Sequence, residues 1–391
     1  MRLVVVGAGY AGLAVVRALR RFGGMRRAQV TLVEPHPYHT IVTRLHAVAA
    51  GTLPPSGVTV PLERVAQGAD LLPARATAVD TRSRRLWTEA GPLDYDLLVL
   101  SVGSVPAYHG IPGLDRFSLP LRTLEDALRV RRELAAPERL GRLVVGGAGL
   151  TGLELATEVA SRPRRPREIV LVEALPEILP PFSPRLRRHV RAALARMGVE
   201  LRTGARIEEV EPGRLRLAGD GDLEADLFVW TGGVGGAPLL RRLGEQGAAL
   251  GRGGRLKVDA SYAVPGAEGL YAVGDAADDG REPSAQLAVA QGERLGRLLS
   301  LRLAGRAEGA EAMEPPRLLG LFASLGPRDG FGRLRETELA GLPAHVVKWL
   351  AELRYLWRLG GRPTEVALAA MPPSREGQAP GEAERAAQGR S

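Results

Sequence analysis

Cysteine is absent from this sequence, and the absence removes several chemistries at once. No disulfide, thiolate metal centre, iron–sulfur cluster or redox-active dithiol can form. Lysine is nearly absent as well. Lys257 and Lys348 are the only two among 53 basic residues, so the net charge of +9 comes almost wholly from arginine. Aromatic residues make up only 4%. Basic residues spread along the chain, with few interleaved aromatics and no recognisable binding motif, argue against nucleic acid as a partner. No apolar run approaches the ~20 residues that a membrane-spanning helix needs. The amino terminus lacks a leader pattern, since Leu3–Val6 runs directly into glycines. The expectation is a protein made and kept in the cytoplasm, with arginines suited to an anionic membrane surface.

What is present is ample core material. The 391 residues are 45% hydrophobic and 25% charged, as in a soluble globular chain of two or three domains. Any redox chemistry must therefore come from a bound cofactor.

One local pattern occurs twice. Leu3-Val4-Val5-Val6 reads as a buried strand, Gly7-Ala8-Gly9-Tyr10-Ala11-Gly12 as a tight turn, and Leu13–Arg21 as a helix. A second strand, Gln29–Val33, ends at Glu34, 22 residues past Gly12. Leu143–Val145, Gly147-Ala148-Gly149-Leu150-Thr151-Gly152, Leu153–Ser161 and Ile169–Val172 repeat the order, ending at Glu173, 21 residues past Gly152. Strand–helix–strand order predicts parallel sheets and an α/β fold with two Rossmann-like domains. The first glycine permits the turn, the second admits a pyrophosphate to the backbone, and the third lets helix and strand pack closely. The helix start then offers free N–H groups and partial positive charge to phosphate. Glu34 and Glu173 would accept from ribose hydroxyls, and an acid at Glu173 favours NADH over a 2′-phosphorylated cofactor. Two such sites without cysteine point to one FAD and one exchangeable NADH, with no metal site. Two strand ends also echo each other: Asp96–Leu100 followed by Ser101-Val102-Gly103, and Asp226–Trp230 followed by Thr231-Gly232-Gly233.

Toward the carboxyl end, Val346, Trp349, Leu350, Leu353, Leu356 and Trp357 recur at helical spacing, predicting an amphipathic helix from Ala344 to Leu359. With Lys348, Arg354 and Arg358 beside interface-prone aromatics, it reads as a helix lying on a bilayer. Docking on the protein's own core or on a second copy is the alternative. The stretch Gly305–Pro316 reads as a linker, and 372–391 as a disordered tail.

These residues resemble the type II NADH dehydrogenases, single-subunit NADH:quinone oxidoreductases, most closely the Bacillus-like bacterial branch. The resemblance rests on Val6–Gly12, Tyr38-His39, Leu45-His46, Ala49–Leu53, Gly146–Glu154, Gly274-Asp275, Ala285–Ala288, Ala323–Gly326 and Leu353–Gly361. It implies a discontinuous FAD domain (1–108 and 258–305), an inserted NADH domain (109–257) and a membrane-facing, quinone-side segment (306–371). For FAD it implies Gly7, Ala8, Gly9, Tyr10, Ala11, Gly12, Glu34, Pro35, Val42, Ala76, Gly103, Asp275, Ala285, Gln286 and Lys348. For NAD it implies Gly147, Gly149, Thr151, Gly152, Glu173, Gly232 and Gly233. Glu154, Gln286 and Lys348 are the implied catalytic residues. Structural readings stand beside these: Asp275 as a helix cap, Glu154 as a surface glutamate without a basic partner, and His39 and His46 as packing or surface histidines. The implied reaction passes a hydride from NADH to FAD and two electrons to menaquinone or ubiquinone, without proton pumping, at the cytoplasmic face of the membrane. A homodimer stays open. The family motif Ala-Gln-x-Ala-x-Gln-Gln-Gly is departed from at Ala290, which keeps an NADH oxidase or diaphorase open. An NADH-responsive binding flavoprotein is the alternative outside enzymes.

Overall fold

A computed structural model describes residues 1–135, 140–219, 221–306 and 320–360. In chain order the elements that build the site are β1 (Arg2–Val6), α1 (Tyr10–Arg21), β2 (Gln29–Val33), α2 (Leu45–Ala50), β3 (Asp70–Leu72), β4 (Leu97–Leu100), β5 (Ser104–Pro106), β6 (Leu119–Pro120), α3 (Leu124–Glu133), β7 (Arg142–Gly146), α4 (Leu150–Ala160) and β8 (Glu168–Glu173). They continue with α5 (Pro184–Arg196), β9 (Val199–Thr203), β10 (Leu227–Trp230), β11 (Val234–Gly236), β12 (Leu270–Ala272), α6 (Ala285–Leu303), β13 (Gly320–Ser324), β14 (Gly330–Leu334), β15 (Thr337–Ala340) and α7 (Leu342–Arg358).

Two parallel sheets carry the architecture. The first has strand order β12-β4-β1-β2-β3, the second β6-β10-β7-β8-β9. Central strands such as β1 and β7 are apolar on both faces because crossover helices cover both sides of a parallel sheet. Val4, Val6, Val33, Leu98, Leu100 and Leu270 pack the first core; Val144, Val170, Val172 and Phe228 pack the second. β12 returns to the first sheet after the whole second sheet has been formed, so the second sheet is an insertion in the first. β5 pairs antiparallel with β11 where the chain passes between them.

Helix α6 lies along α1, and glycine makes that approach feasible. A Cβ at Gly292 would sit 2.2 Å from the Ala11 carbonyl oxygen, and one at Gly296 2.6 Å from that of Val15. The helix begins at Ser284, whose hydroxyl accepts from the Leu287 N–H at 3.1 Å.

The carboxyl-terminal region differs from a purely helical expectation. Before α7 comes an antiparallel sheet, β13-β14-β15. Its glycines at 320, 330 and 332 and short spans hide it from propensity, since strands of this kind are stabilised by their neighbours. The helix itself forms close to the expected span, with Pro343 in the first turn, where its missing N–H costs nothing. Leu342, Val346, Leu350 and Trp357 are exposed, at 40–66%. The expected apolar stripe is thus only partly outward: Trp349 and Leu353 are half-buried and Leu356 is buried. Contacts group Met1–Lys348 as one compact unit and the chain from Trp349 as another. Most of the expected linker, Gly361 and the expected tail lie outside the described residues. Among the described residues no helix is long and apolar enough to cross a membrane.

Candidate functional site

The two glycine turns sit at the carboxyl ends of β1 and β7 and are built alike. Gly7 and Gly147 both have φ +97°, a left-handed value that only glycine adopts freely. The Gly7 N–H donates to the Val33 carbonyl at 2.9 Å, and the Gly147 N–H to that of Val172 at 2.8 Å. The Ala8 N–H donates to Glu34 Oε2 at 2.9 Å and the Ala148 N–H to Glu173 Oε2 at 2.8 Å. Each acid therefore ends its strand facing its own turn, with its other oxygen on the N–H of His36 or Leu175. Beneath the turns, Ser101 Oγ donates to the carbonyls of Val6 and Gly7, and Thr231 Oγ1 to those of Gly146 and Gly147. These two hydroxyls are site residues that motif reading passed over. Their signal was the echo between the two strand ends.

The glycines divide their work as a dinucleotide requires. A Cβ at Gly12 would meet the Gly7 carbonyl oxygen at 1.9 Å, and one at Gly152 the Gly147 carbonyl oxygen at 2.0 Å. At Gly9 and Gly149 an added Cβ meets nothing within 4 Å. The outer two glycines are thus needed by the fold, whereas the middle one opens on a space that the fold leaves clear. Neither α1 nor α4 has an acid in its first turn or a side-chain cap. The N–H groups and positive dipole ends of both helix starts face these clear spaces, and this fits a pyrophosphate at each.

Around the first turn the structure gathers Tyr10, Ala11, Gly103 and Asp275. A Cβ at Gly274 would lie 2.9 Å from Ala11 Cβ, which puts the Gly274-Asp275 turn beside α1. Gln291, 1% exposed, fixes that turn: its Oε1 accepts from the Gly274 N–H and its Nε2 donates to Asp279 Oδ2, both at 2.7 Å. Asp275 does not cap a helix. Its Oδ2 accepts from Ser104 Oγ at 2.7 Å and from the Arg122 guanidinium at 2.9 Å. Arg122 had no sequence signal, being one arginine among dozens. Pro35, Val42, Ala76 and Ala285 are half-buried. Gln286 Oε1 accepts from the Gly320 N–H at 3.3 Å. On the other sheet, Gly232 lies under the Trp230 ring and Gly233 against His109, while Thr151 is exposed at the start of α4.

A second cluster is buried where α4, α2 and β13 meet Lys348. Glu154 Oε1 receives Lys348 Nζ at 2.9 Å, the Ser324 N–H at 3.0 Å and Ser324 Oγ at 3.1 Å. Its Oε2 faces His46 Nδ1 at 3.5 Å. Burial alone would push the Glu154 carboxyl up. The Lys348 ammonium foremost, with His46 and the Ser324 N–H, outweighs it and holds the carboxyl below its ordinary value. The reading of Glu154 as a surface acid without a basic partner is therefore corrected, and His46 is buried beside its second oxygen. His39 is fully buried, and its Nδ1 donates to the Ala8 carbonyl at 2.9 Å; burial pulls its pKa down to about 4, against the opposing pull of that bond.

Fold and site together define an oxidoreductase-type scaffold with two dinucleotide cradles and no thiol. The chain belongs to the pyridine nucleotide-disulphide oxidoreductase family, whose profile matches residues 1–292. It is 30% identical to the NADH dehydrogenase-like protein YutJ of Bacillus subtilis, over 89% of this chain and 96% of that one. It is 29% identical to a type II NADH:quinone oxidoreductase of Staphylococcus aureus, over 92% of this chain and 96% of that one. Its fold matches that of NDH2 from Plasmodium falciparum, solved in complex with NADH, with a TM-score of 0.83 at 15% identity over 94% and 97% of the two chains. The family's name includes a disulphide, but this sequence has no cysteine to supply a thiol of its own.

Proposed function

We propose that this chain is an FAD-dependent NADH:quinone oxidoreductase of the type II, non-pumping kind. The observation that carries the reading is the pair of matched turns, each with a middle glycine facing clear space, in a chain that has no sulfur relay. When bound, the flavin supplies the hydride acceptor for NADH and the two-electron donor for a quinone. The chain's own residues hold and orient. Residues 1–108 with 258–305 form the FAD side, where Gly9 admits the pyrophosphate, Glu34 takes the ribose and Asp275 borders the first turn. Residues 109–257 form the NADH side, where Gly149 and Glu173 repeat those roles and the carboxylate of Glu173 repels a 2′-phosphate. The start of α6, at Ala285 and Gln286, would offer its positive end to a bound flavin and favour negative charge on it. Glu154 and Lys348 form the quinone-side charge pair.

The exposed Leu342, Val346, Leu350 and Trp357 of α7, with Arg354 and Arg358, suit a helix resting on the cytoplasmic face of a membrane, from which menaquinone or ubiquinone enters. A homodimer through this helix is the competing use of the same residues. One residue favours a second reading. Ala290, half-buried one turn beyond Gln286, stands where the family motif has glutamine. That loss fits an NADH oxidase or diaphorase with another acceptor. Anaerobic stopped-flow separates the two: NADH reduces the flavin, and the reduced enzyme is then mixed with menaquinone or ubiquinone analogues. Reoxidation by quinone much faster than by air supports the quinone reductase; quinone-insensitive reoxidation refutes it.

A further inference from the structure

The two oxygens of Glu154 face different partners. Lys348 and Ser324 share Oε1, and His46 faces Oε2, with the His46 and Glu154 side chains only 7% and 9% exposed. We propose that His46 is a positioning residue for Glu154, steering its second oxygen, and that it is the group through which this cluster takes up and releases a proton while the carboxylate stays ionised. The proton balance is simple: imidazole plus one proton from solvent gives imidazolium, and release reverses it.

Three points carry this. Of the three ionisable side-chain types, only imidazole has an ordinary value near neutrality, ~6.5 against ~4.3 for a glutamate and ~10.4 for a lysine. Glu154 and Lys348 cancel each other, so the cluster is neutral with neutral His46 and carries one positive charge when His46 is protonated. Negative charge developing on a substrate beside the cluster therefore draws a proton from solvent to His46, whose ordinary value lies near neutrality, rather than to Glu154, which Lys348 holds ionised. Helix α2, which carries His46, packs against α3, α4 and the turn 42–44. Among the other charged side chains that these elements bring, three have partners elsewhere. Glu158 accepts from the Thr52 hydroxyl, Glu125 from the Tyr38 hydroxyl at 3.2 Å, and Arg131 donates to the Leu53 carbonyl at 3.4 Å. Arg44 directly precedes the helix.

The proposal rests on Glu154 being a quinone-side residue, and its first test does not need quinone turnover. FAD-loaded enzyme labelled with 15N-histidine is titrated by NMR, the His46 signal being identified by its disappearance in His46→Gln. The expected result is a His46 midpoint at least about one unit lower in Glu154→Gln than in the unsubstituted protein, because the carboxylate that favours imidazolium has gone. The pH profile of quinone reduction should also lose one ionisation in His46→Gln, whose amide can still hydrogen-bond Glu154. An unchanged midpoint in Glu154→Gln, or an unchanged profile in His46→Gln, overturns the proposal. Normal coupling with no quinone turnover in any variant sinks the functional reading instead and leaves the coupling standing.

Discussion

Lys348→Met deletes one charge from the buried cluster and keeps the length of the side chain. Lys348 and Glu154 are 2.9 Å apart with side chains 13% and 9% exposed, so neither charge is screened by much water. Removing one member of such a pair typically costs ~3–5 kcal/mol, because the partner stays buried and uncompensated. Over the 348 residues of Met1–Lys348, an unfolding entropy of ~2.1 cal/mol/K per residue makes each kcal/mol worth ~1.4 °C. The expected loss is therefore ~4–7 °C in melting temperature at about pH 8. The pH dependence should also change sign. In the unsubstituted protein Glu154 is held below its ordinary value, so its ionised form stabilises the fold at neutral pH, and acid removes that contribution. Without Lys348, burial prevails and the Glu154–His46 pair takes up a proton when folded. That contribution is complete below the unfolded imidazole's ~6.5 and is lost as the pH rises through the folded value. Circular dichroism melts of the FAD-loaded enzyme at about pH 6 and about pH 8 should show Lys348→Met recovering toward acid. The double variant Lys348→Met, Glu154→Gln should regain at least half the loss at the higher pH. A single variant as stable as its parent there, or a double variant as damaged as the single, refutes the reasoning.

Gly9→Val should fold and emerge colourless, since its side chain enters clear space meant for pyrophosphate, whereas Gly12→Val should yield little folded protein because its Cβ meets the Gly7 carbonyl; flavin absorbance per folded protein checks both. Gly149→Val should keep its flavin but lose NADH reduction, read in single-turnover mixing. Glu173→Gln should narrow the preference for NADH over NADPH by about tenfold or more in kcat/KM, one lost charge repulsion of ~1.4 kcal/mol sufficing; an unchanged ratio refutes the ribose role. His39 is neutral when folded, with its pKa at about 4. Acidification from ~6.5 toward that value should cost up to ~3 kcal/mol and loosen the first turn, and His39→Asn should flatten that dependence in denaturant titrations.

The dinucleotide turns are legible in the sequence because their chemistry is local. Strand, glycine spacing, helix and acid fall within about thirty residues, and each glycine answers a contact inside that span. The duplicated strand ends, Asp96–Gly103 and Asp226–Gly233, are legible as an echo even though only the structure shows Ser101 and Thr231 bonded under the turns. The Glu154 cluster is different in kind. Glu154 meets Ser324 across 170 positions, and Ser324 meets Lys348 across 24 more, so no window of sequence contains it. Resemblance named Glu154 and Lys348, but it could not say that His46 faces the second oxygen. Arg122 on Asp275 is illegible for another reason: in a chain that writes almost every basic residue as arginine, an important arginine looks like all the others. The sheet β13–β15 escapes because glycines weaken its strand signal, while α7 is found within two residues at its start and one at its end because its apolar spacing is strong.

The likeness of the two turns raises the question of which holds a resident cofactor and which an exchanging one, and the turns themselves do not answer it. Both have the same φ, the same acid on the same N–H and the same clear space at the middle glycine. The difference lies in what is packed beside them. Helix α1 is covered along its length by α6, close enough for Gly292 and Gly296 to be required, and Gln291 from α6 ties down the Gly274-Asp275 turn next to Ala11. Helix α4 instead meets the short α2 and the strand β13. A cofactor at the first turn is therefore bordered by a second element whose backbone is hydrogen-bonded into place, and releasing it requires that element to shift. A cofactor at the second turn rests on its own turn and strand ends. That asymmetry supports FAD as the retained group at Gly9 and NADH as the transient one at Gly149. The same packing accounts for the burial of Gln291, whose amide braces the Gly274-Asp275 turn beside α1.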